Sequence, residues 1–332
     1  MLNRREFNRL CAALGMALPT VSTMILRSLF AQSVGTVVAL NDVGRTVKFH
    51  DGTIVPALGQ GSWHLAQGRH PEAAEEDALR TGLSLGMTLI DTAEMYSDGR
   101  SEELIGRVIA GQRDHLFLVS KVLPNHTTED GIARACEGSL ARLGTDYLDL
   151  YLLHWRSRDT DLPTVVAAFE SLRAAGKIRA WGVSNFKVSD MEDLFRVPEG
   201  TRCATNQVRY NLTSRSIEND LLPWCEERGM PVMAYSPLGG DRLVSDPTLI
   251  LIGAAHNCSA PAVALAWAIR SSRVIAIPEA GSAAHVKENA VALSLTLTPH
   301  ELQTLDAAFP MRSTDMLRSL LDRARRWMRS FR

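Results

Sequence analysis

Between about residue 45 and residue 310, short apolar runs alternate with amphipathic stretches. The runs are 55–63 (VPALGQGSW), 87–93 (MTLIDTA), 116–122 (LFLVSKV) and 148–155 (LDLYLLHW), then 178–186 (IRAWGVSNF), 203–211 (CATNQVRYN), 231–238 (PVMAYSPL) and 274–280 (VIAIPEA). Several are apolar at successive positions, the pattern of strands buried on both faces. The stretches 72–85, 101–110, 128–143 and 161–175 read as helices. Gly86, Gly111, Gly144, Gly176 and Gly229 stand where helix C-terminal caps are expected. Ahead of the first run, RTVKFHDGTIVPALG predicts a β-hairpin turning at Asp51-Gly52. Eight strands alternating with helices predict a closed parallel (β/α)8 barrel with an N-terminal β-hairpin and a C-terminal helical tail. An open doubly wound sheet fits less well, because GQGSWHLAQG carries only the first two glycines of a GxGxxG loop. No low-complexity linker interrupts the pattern, so residues 34–310 form one barrel domain.

Polar side chains interrupt the apolar runs at their C-terminal ends, where barrels of this kind carry their chemistry. Asp91 ends the second run, Lys121 comes late in the third and His154 late in the fourth, while Tyr96 follows Asp91 by five residues. Alone, each has an ordinary structural explanation as a cap, a solvated charge or a packed ring. Together they put four proton-handling groups on three successive strands. Delivering a hydride to a carbonyl leaves negative charge on oxygen, which needs a proton donor. A tyrosine, with an ordinary pKa near ~10, is a reluctant acid; a nearby ammonium is expected to lower that value. In this reading Asp91 is the counter-charge to Lys121, and His154 orients the carbonyl oxygen.

Composition narrows the partners. Among 332 residues, 45% are hydrophobic and 22% charged, with a formal net charge of −1, which offers no electrostatic footprint for nucleic acid. The five cysteines, Cys11, Cys136, Cys203, Cys225 and Cys258, show no CxxC pair and no metal spacing, so unpaired thiols and no metal are expected.

Seven segments, in order, resemble the signatures of the aldo/keto reductase family. They are LIDTAEMYSDGRSEELIG (89–106), SKVLP (120–124), YLLHW (151–155), GKIRAWGVSNF (176–186), NQVRYN (206–211), AYSPLGG (234–240) and IPEAGSAAHVKEN (277–289). The resemblance implies a (β/α)8 barrel and nicotinamide-dependent reduction of aldehydes and ketones, with Tyr96 as proton donor in a tetrad with Asp91, Lys121 and His154. It also implies that Ser184, Asn185 and Gln207 hold the nicotinamide carboxamide and that Tyr235 stacks on its ring. Ser236, Leu238 and Gly239 would form a pyrophosphate turn, with Asn289 on the adenine side. Trp63 and Trp155 match substrate-pocket positions; Met95 and Trp181 are weaker candidates, and Arg156 is left outside the site. NADP(H) is the implied cofactor. Relatives often carry lysine and arginine where this chain has Glu279 and His285, which points to relaxed selectivity and use of NAD(H) as well. A non-catalytic, cofactor-binding regulatory barrel is the alternative, against which the intact tetrad argues.

Two ends fall outside the resemblance. Residues 1–33, with Arg4-Arg5 ahead of a moderately apolar stretch from Leu10 to Leu26, resemble a twin-arginine signal with cleavage after Ala31 or Ser33. Periplasmic export is therefore expected, with a cytoplasmic enzyme as the alternative. Residues 311–332 carry seven arginines against two aspartates, with Met316, Leu317, Leu320, Leu321, Ala324 and Met328 near helical spacing. This basic amphipathic tail predicts docking on the barrel or contact with anionic lipid. A monomer acting on a small carbonyl substrate completes the expectation.

Overall fold

The computed structural model describes residues 44–311; the expected signal and almost all of the basic tail lie outside the described residues. Strands β1 (Thr46–Lys48) and β2 (Ile54–Pro56) form the antiparallel hairpin, pairing Val47 with Val55. Its turn is built as expected, with the Asp51 carboxylate accepting the Thr53 N–H at 2.9 Å. Phe49 stacks on Phe117, 5.5 Å between centroids, so the hairpin lies against the end of the barrel where the strands begin. The opposite end is left for chemistry.

Eight strands form one parallel sheet whose spatial order is their sequence order. They are β3 (Gln60–Gly61), β4 (Leu89–Asp91), β5 (Phe117–Val122) and β6 (Leu148–Leu153), then β7 (Ile178–Ser184), β8 (Asn206–Arg209), β9 (Val232–Tyr235) and β10 (Val274–Ile277). All six residues of β6 are buried, as a strand between barrel interior and helix layer requires. The predicted run 55–63 divides in two: Pro56 lacks an N–H and ends the hairpin strand, and the chain joins the barrel at Leu58, which bridges to Ala276 ahead of β3. The sheet closes on itself at β3 and β10. Gly59 N–H donates to Ala276 at 2.8 Å, Ala276 N–H to Ala57 at 2.8 Å and Gly61 N–H to Pro278 at 2.9 Å. At this seam a Cβ on Gly61 would sit 2.8 Å from the Ile277 carbonyl oxygen, so the close approach needs glycine.

Helices Glu72–Ser84, Arg100–Ile109, Glu129–Leu143 and Leu162–Ala174 match the four predicted ones to within a residue or two. Thr128 caps the third by accepting from Gly131 N–H, and Gly144 ends it in the left-handed conformation at φ 63°. Trp181 is buried between layers, tilted against Phe169, and its indole N–H donates to Glu170 at 2.7 Å. It packs the barrel wall and does not line the cavity beside Tyr96. Cys136, Cys203, Cys225 and Cys258 are free thiols. Burial pushes the first three up to about 12, which leaves them unreactive.

Candidate active site

Parallel registry brings the strand-end residues together. β4 ends on Asp91, β5 carries Lys121 one residue from its end, and His154 directly follows β6. The Lys121 ammonium is fully buried and meets three oxygens: Asp91 Oδ1 at 2.6 Å, the Thr92 carbonyl at 2.8 Å and Tyr96 Oη at 3.1 Å. An ammonium has three N–H donors, so it saturates this set, whereas a neutral amine would leave one acceptor without a proton. Burial alone would push Lys121 down, but the Asp91 carboxylate and the Tyr96 oxygen more than reverse this and its pKa is raised. Burial pushes Asp91 up, and Lys121 and Gln207 oppose that rise without reversing it. The ionised pair is the state that fits the contacts.

Tyr96 sits in a sharp turn. Ser97 and Asp98 both take φ 53° and Gly99 takes φ 87° before the helix Arg100–Ile109 begins. The turn is tied down from behind. Ser97 Oγ donates to the Leu65 carbonyl at 2.8 Å, and Ser101 Oγ to the Ser62 carbonyl at 3.1 Å. Buried Glu102 accepts from Ser120 at 2.6 Å and from Arg142 at 2.7 Å. Because Tyr96 Oη accepts from Lys121, its own O–H is free to donate into the cavity. Its pKa is raised, not lowered as the nearby ammonium alone would have it. Burial pushes the phenol above its ordinary value, with Lys121 opposing and Asp91 and Glu279 adding to the rise. Tyr96 is therefore fully protonated at neutral pH, and Lys121 serves to stabilise the tyrosinate left after donation.

His154 meets Tyr96 edge-on, 5.8 Å between ring centroids. Its Nδ1 is buried with no hydrogen-bond partner among the described residues. A buried acceptor without a partner is tolerated better than a buried N–H, so the proton belongs on Nε2. Burial, with Lys121 nearby, pushes the imidazole down to about 3. His154 thus stays neutral and acts as a hydrogen-bond donor, not as a titrating acid. The kcat of carbonyl reduction should accordingly show no break assignable to His154 between about pH 5 and 8. A limb near pH 6.5 in the wild type that vanishes in His154→Gln would contradict this.

The tetrad opens onto a cavity of about 620 Å³, within the ordinary range for small-molecule sites. Trp63, Met95 and Trp155 line its outer part and are 52%, 40% and 36% exposed. Ser184, Asn185, Gln207 and Tyr235 line another wall, and Ser236, Leu238 and Gly239 continue from it. These side chains are wired to each other and to the tetrad. Gln207 donates to Asp91 Oδ2 at 2.6 Å, Asn185 to the His154 carbonyl at 3.1 Å, and the Tyr235 hydroxyl to Asn185 Oδ1 at 2.9 Å. Asn185, at φ 62°, holds the left-handed conformation that ordinarily favours glycine. After Tyr235 the chain takes positive φ at Ser236, Gly239 and Gly240, which opens a turn to a close approach by an anion. A flat aromatic face, two carboxamide side chains fixed by their hydrogen bonds and such a turn fit a nicotinamide dinucleotide. Asn289 is buried in the helix Ala283–Ala290 and does not line this cavity.

Over residues 57–309 the chain matches the family described as aldo/keto reductase. It belongs to the aldo/keto reductase family. A methylglyoxal reductase, YeaE, of Escherichia coli (strain K12) is 49% identical over 271 residues, covering 80% of this chain and 95% of that protein. A glyoxal reductase of Bacillus subtilis (strain 168) is 34% identical over 265 residues, covering 79% and 92%. Among solved structures, an aldo/keto reductase from Klebsiella pneumoniae in complex with NADP and acetate is 48% identical. Its TM-score is 0.78, with 82% of this chain and 97% of that one covered.

Two charged residues of this aldo/keto reductase have partners that their own sequence neighbourhood does not announce. Arg156 is engaged, donating to Asp190 at 2.9 Å and Asp193 at 3.0 Å, which agrees with leaving it outside the site. Glu279 lines the cavity, but its carboxylate is taken up by His64, through the backbone N–H at 2.7 Å and Nδ1 at 3.0 Å. No local motif announces that contact, because the partners lie 215 residues apart.

Proposed function

We propose that the protein reduces small neutral aldehydes and 1,2-dicarbonyls of the methylglyoxal type, with NADPH as electron donor. The observation that carries this reading is the Tyr96 O–H, freed to donate because Lys121 occupies the phenol oxygen's acceptor side, beside neutral His154. The carbonyl oxygen would sit between these two donors, with Trp63, Met95 and Trp155 against the carbon chain. The bound dinucleotide supplies the hydride. Ser184, Asn185 and Gln207 would hold the carboxamide, and Tyr235 the ring face, so that the reacting carbon faces the donors. Negative charge that develops on the substrate oxygen meets the Tyr96 proton, and Lys121 stabilises the tyrosinate. NADP(H) is favoured over NAD(H) by the relative that binds NADP at 48% identity. Both Glu279 oxygens already accept from His64, so the carboxylate is partly committed before any ribose hydroxyl reaches it.

The test is incubation of the full chain with NADPH and methylglyoxal, glyoxal, short aldehydes and 2-oxo acids, followed by nicotinamide absorbance. Consumption with the neutral carbonyls is expected. No consumption with any of them, although NADPH binds, would favour a regulatory barrel instead.

Export by the twin-arginine route to the periplasm belongs to the same proposal, supported by Arg4-Arg5 and the apolar stretch after them. Replacing both arginines by lysine should hold the precursor in the cytoplasm; equal fractionation of mutant and wild type would remove the idea. A monomer whose tail touches anionic lipid is also proposed, and gel filtration with vesicle co-sedimentation checks both parts.

A further inference from the structure

Glu279 follows β10 at the seam where the barrel closes, bridged to Gly61 of β3. Its two oxygens take the backbone N–H of His64 at 2.7 Å and His64 Nδ1 at 3.0 Å, so both the main chain and the ring of that residue are held. The His64 ring in turn stacks on Trp63, with centroids 4.7 Å apart and planes 21° from parallel. Trp63 leaves 52% of its surface exposed, yet it lines the cavity that Tyr96 and His154 open onto. A ring that exposed has little packing of its own to hold it, so its orientation depends on the residue beneath.

We propose that Glu279 is a positioning residue for the carbonyl substrate: it clasps His64 across the barrel seam and thereby fixes Trp63 as the outer wall of the pocket. This rests on the carbonyl-reductase reading and adds a specificity-determining contact to it. A carboxylate suits the position because it offers two acceptors, one for an amide N–H and one for an imidazole N–H. Glutamine can replace it, since its carbonyl serves the backbone N–H while its amide donates to Nδ1 once the imidazole changes tautomer. Alanine cannot. Electrostatics alone would have the opposite consequence, because the Glu279 charge pushes the Tyr96 phenol up and its removal would ease proton donation.

The experiment compares wild type, Glu279→Gln and Glu279→Ala, each also in a Trp63→Ala background, with phenylglyoxal as an aryl substrate that uses the Trp63 face. NADPH affinity is measured separately by fluorescence titration without substrate. Glu279→Ala should raise KM for phenylglyoxal about five- to tenfold, the scale of one lost hydrogen-bonded contact. The change in kcat and in NADPH Kd should stay within about twofold, Glu279→Gln should restore KM, and Glu279→Ala should add nothing once Trp63 is alanine. Acrylamide quenching gives a readout free of turnover: the difference between each protein and its Trp63→Phe counterpart isolates that ring. Its quenching should increase in Glu279→Ala. An unchanged KM, an additive effect in the Trp63→Ala background, a loss expressed mainly in NADPH affinity, or unchanged quenching would each overturn the proposal. If wild type reduces no carbonyl at all, the functional reading fails by itself, and quenching still decides whether the clasp holds Trp63.

Discussion

Tyr96→Phe will cut carbonyl reduction by about a thousandfold, in the middle of the range for losing a positioned general acid. The ring stays, its edge contact with His154 stays, and only the hydroxyl goes. The loss should appear in kcat and in kcat/KM equally, because the proton is needed only as charge develops on the substrate oxygen. NADPH affinity should be unchanged within error, since no cofactor-contacting group is altered. Stopped-flow reduction and fluorescence titration on the same preparation separate the two. A mutant with near wild-type kcat would show that the proton comes from elsewhere.

Lys121→Met will have the second large effect, on stability as well as rate. It removes the fully buried ammonium and leaves the Asp91 carboxylate almost completely buried without its ion-pair partner. Breaking a buried pair from one side typically destabilises by about 3–5 kcal/mol. Urea unfolding should therefore show a lower midpoint, and replacing Asp91 by asparagine as well should recover much of it. Activity should not recover in the double mutant, because the tyrosinate then has no nearby cation. Recovery of both together would mean that Lys121 is only structural. The same pair makes the fold sensitive to alkali. Because the folded pKa of Lys121 is raised, its contribution is complete below the ordinary lysine value of 10.5 and is lost as pH climbs through the raised one.

Much of the site is legible in the chain because parallel strands put their C-terminal ends at one mouth. Once 87–93, 116–122 and 148–155 are read as successive strands, Asp91, Lys121 and His154 must converge, and the structure brings them together. Tyr96 is legible only as a neighbour in sequence; its orientation comes from three successive positive φ angles and from Ser101 and Glu102 behind it. What is not legible is the balance between opposing effects. Proximity to an ammonium argues for a more acidic phenol, while burial, which depends on the whole barrel, turns the net shift the other way. Glu279 is only half legible for a related reason. Its neighbours in sequence point to the cofactor cavity, which it lines, but its hydrogen bonds go to a residue 215 positions away, and nothing short of the closed sheet reveals them.

The seam between β3 and β10 also bears on how the molecule is made. Neighbouring strands from β3 to β10 follow one another along the chain, so most of the sheet can assemble by pairing local in sequence. Among the barrel strands, only closure joins segments more than two hundred residues apart, with the entropic penalty of a long loop. Those contacts are expected to form late, after the last strand has left the ribosome. The cavity walls contributed by Trp63, His64 and Glu279 exist only once that step is complete. Substrate recognition is then a report of finished folding: a chain stalled before closure has tyrosine, lysine and aspartate in register, but no outer wall to hold a carbonyl compound.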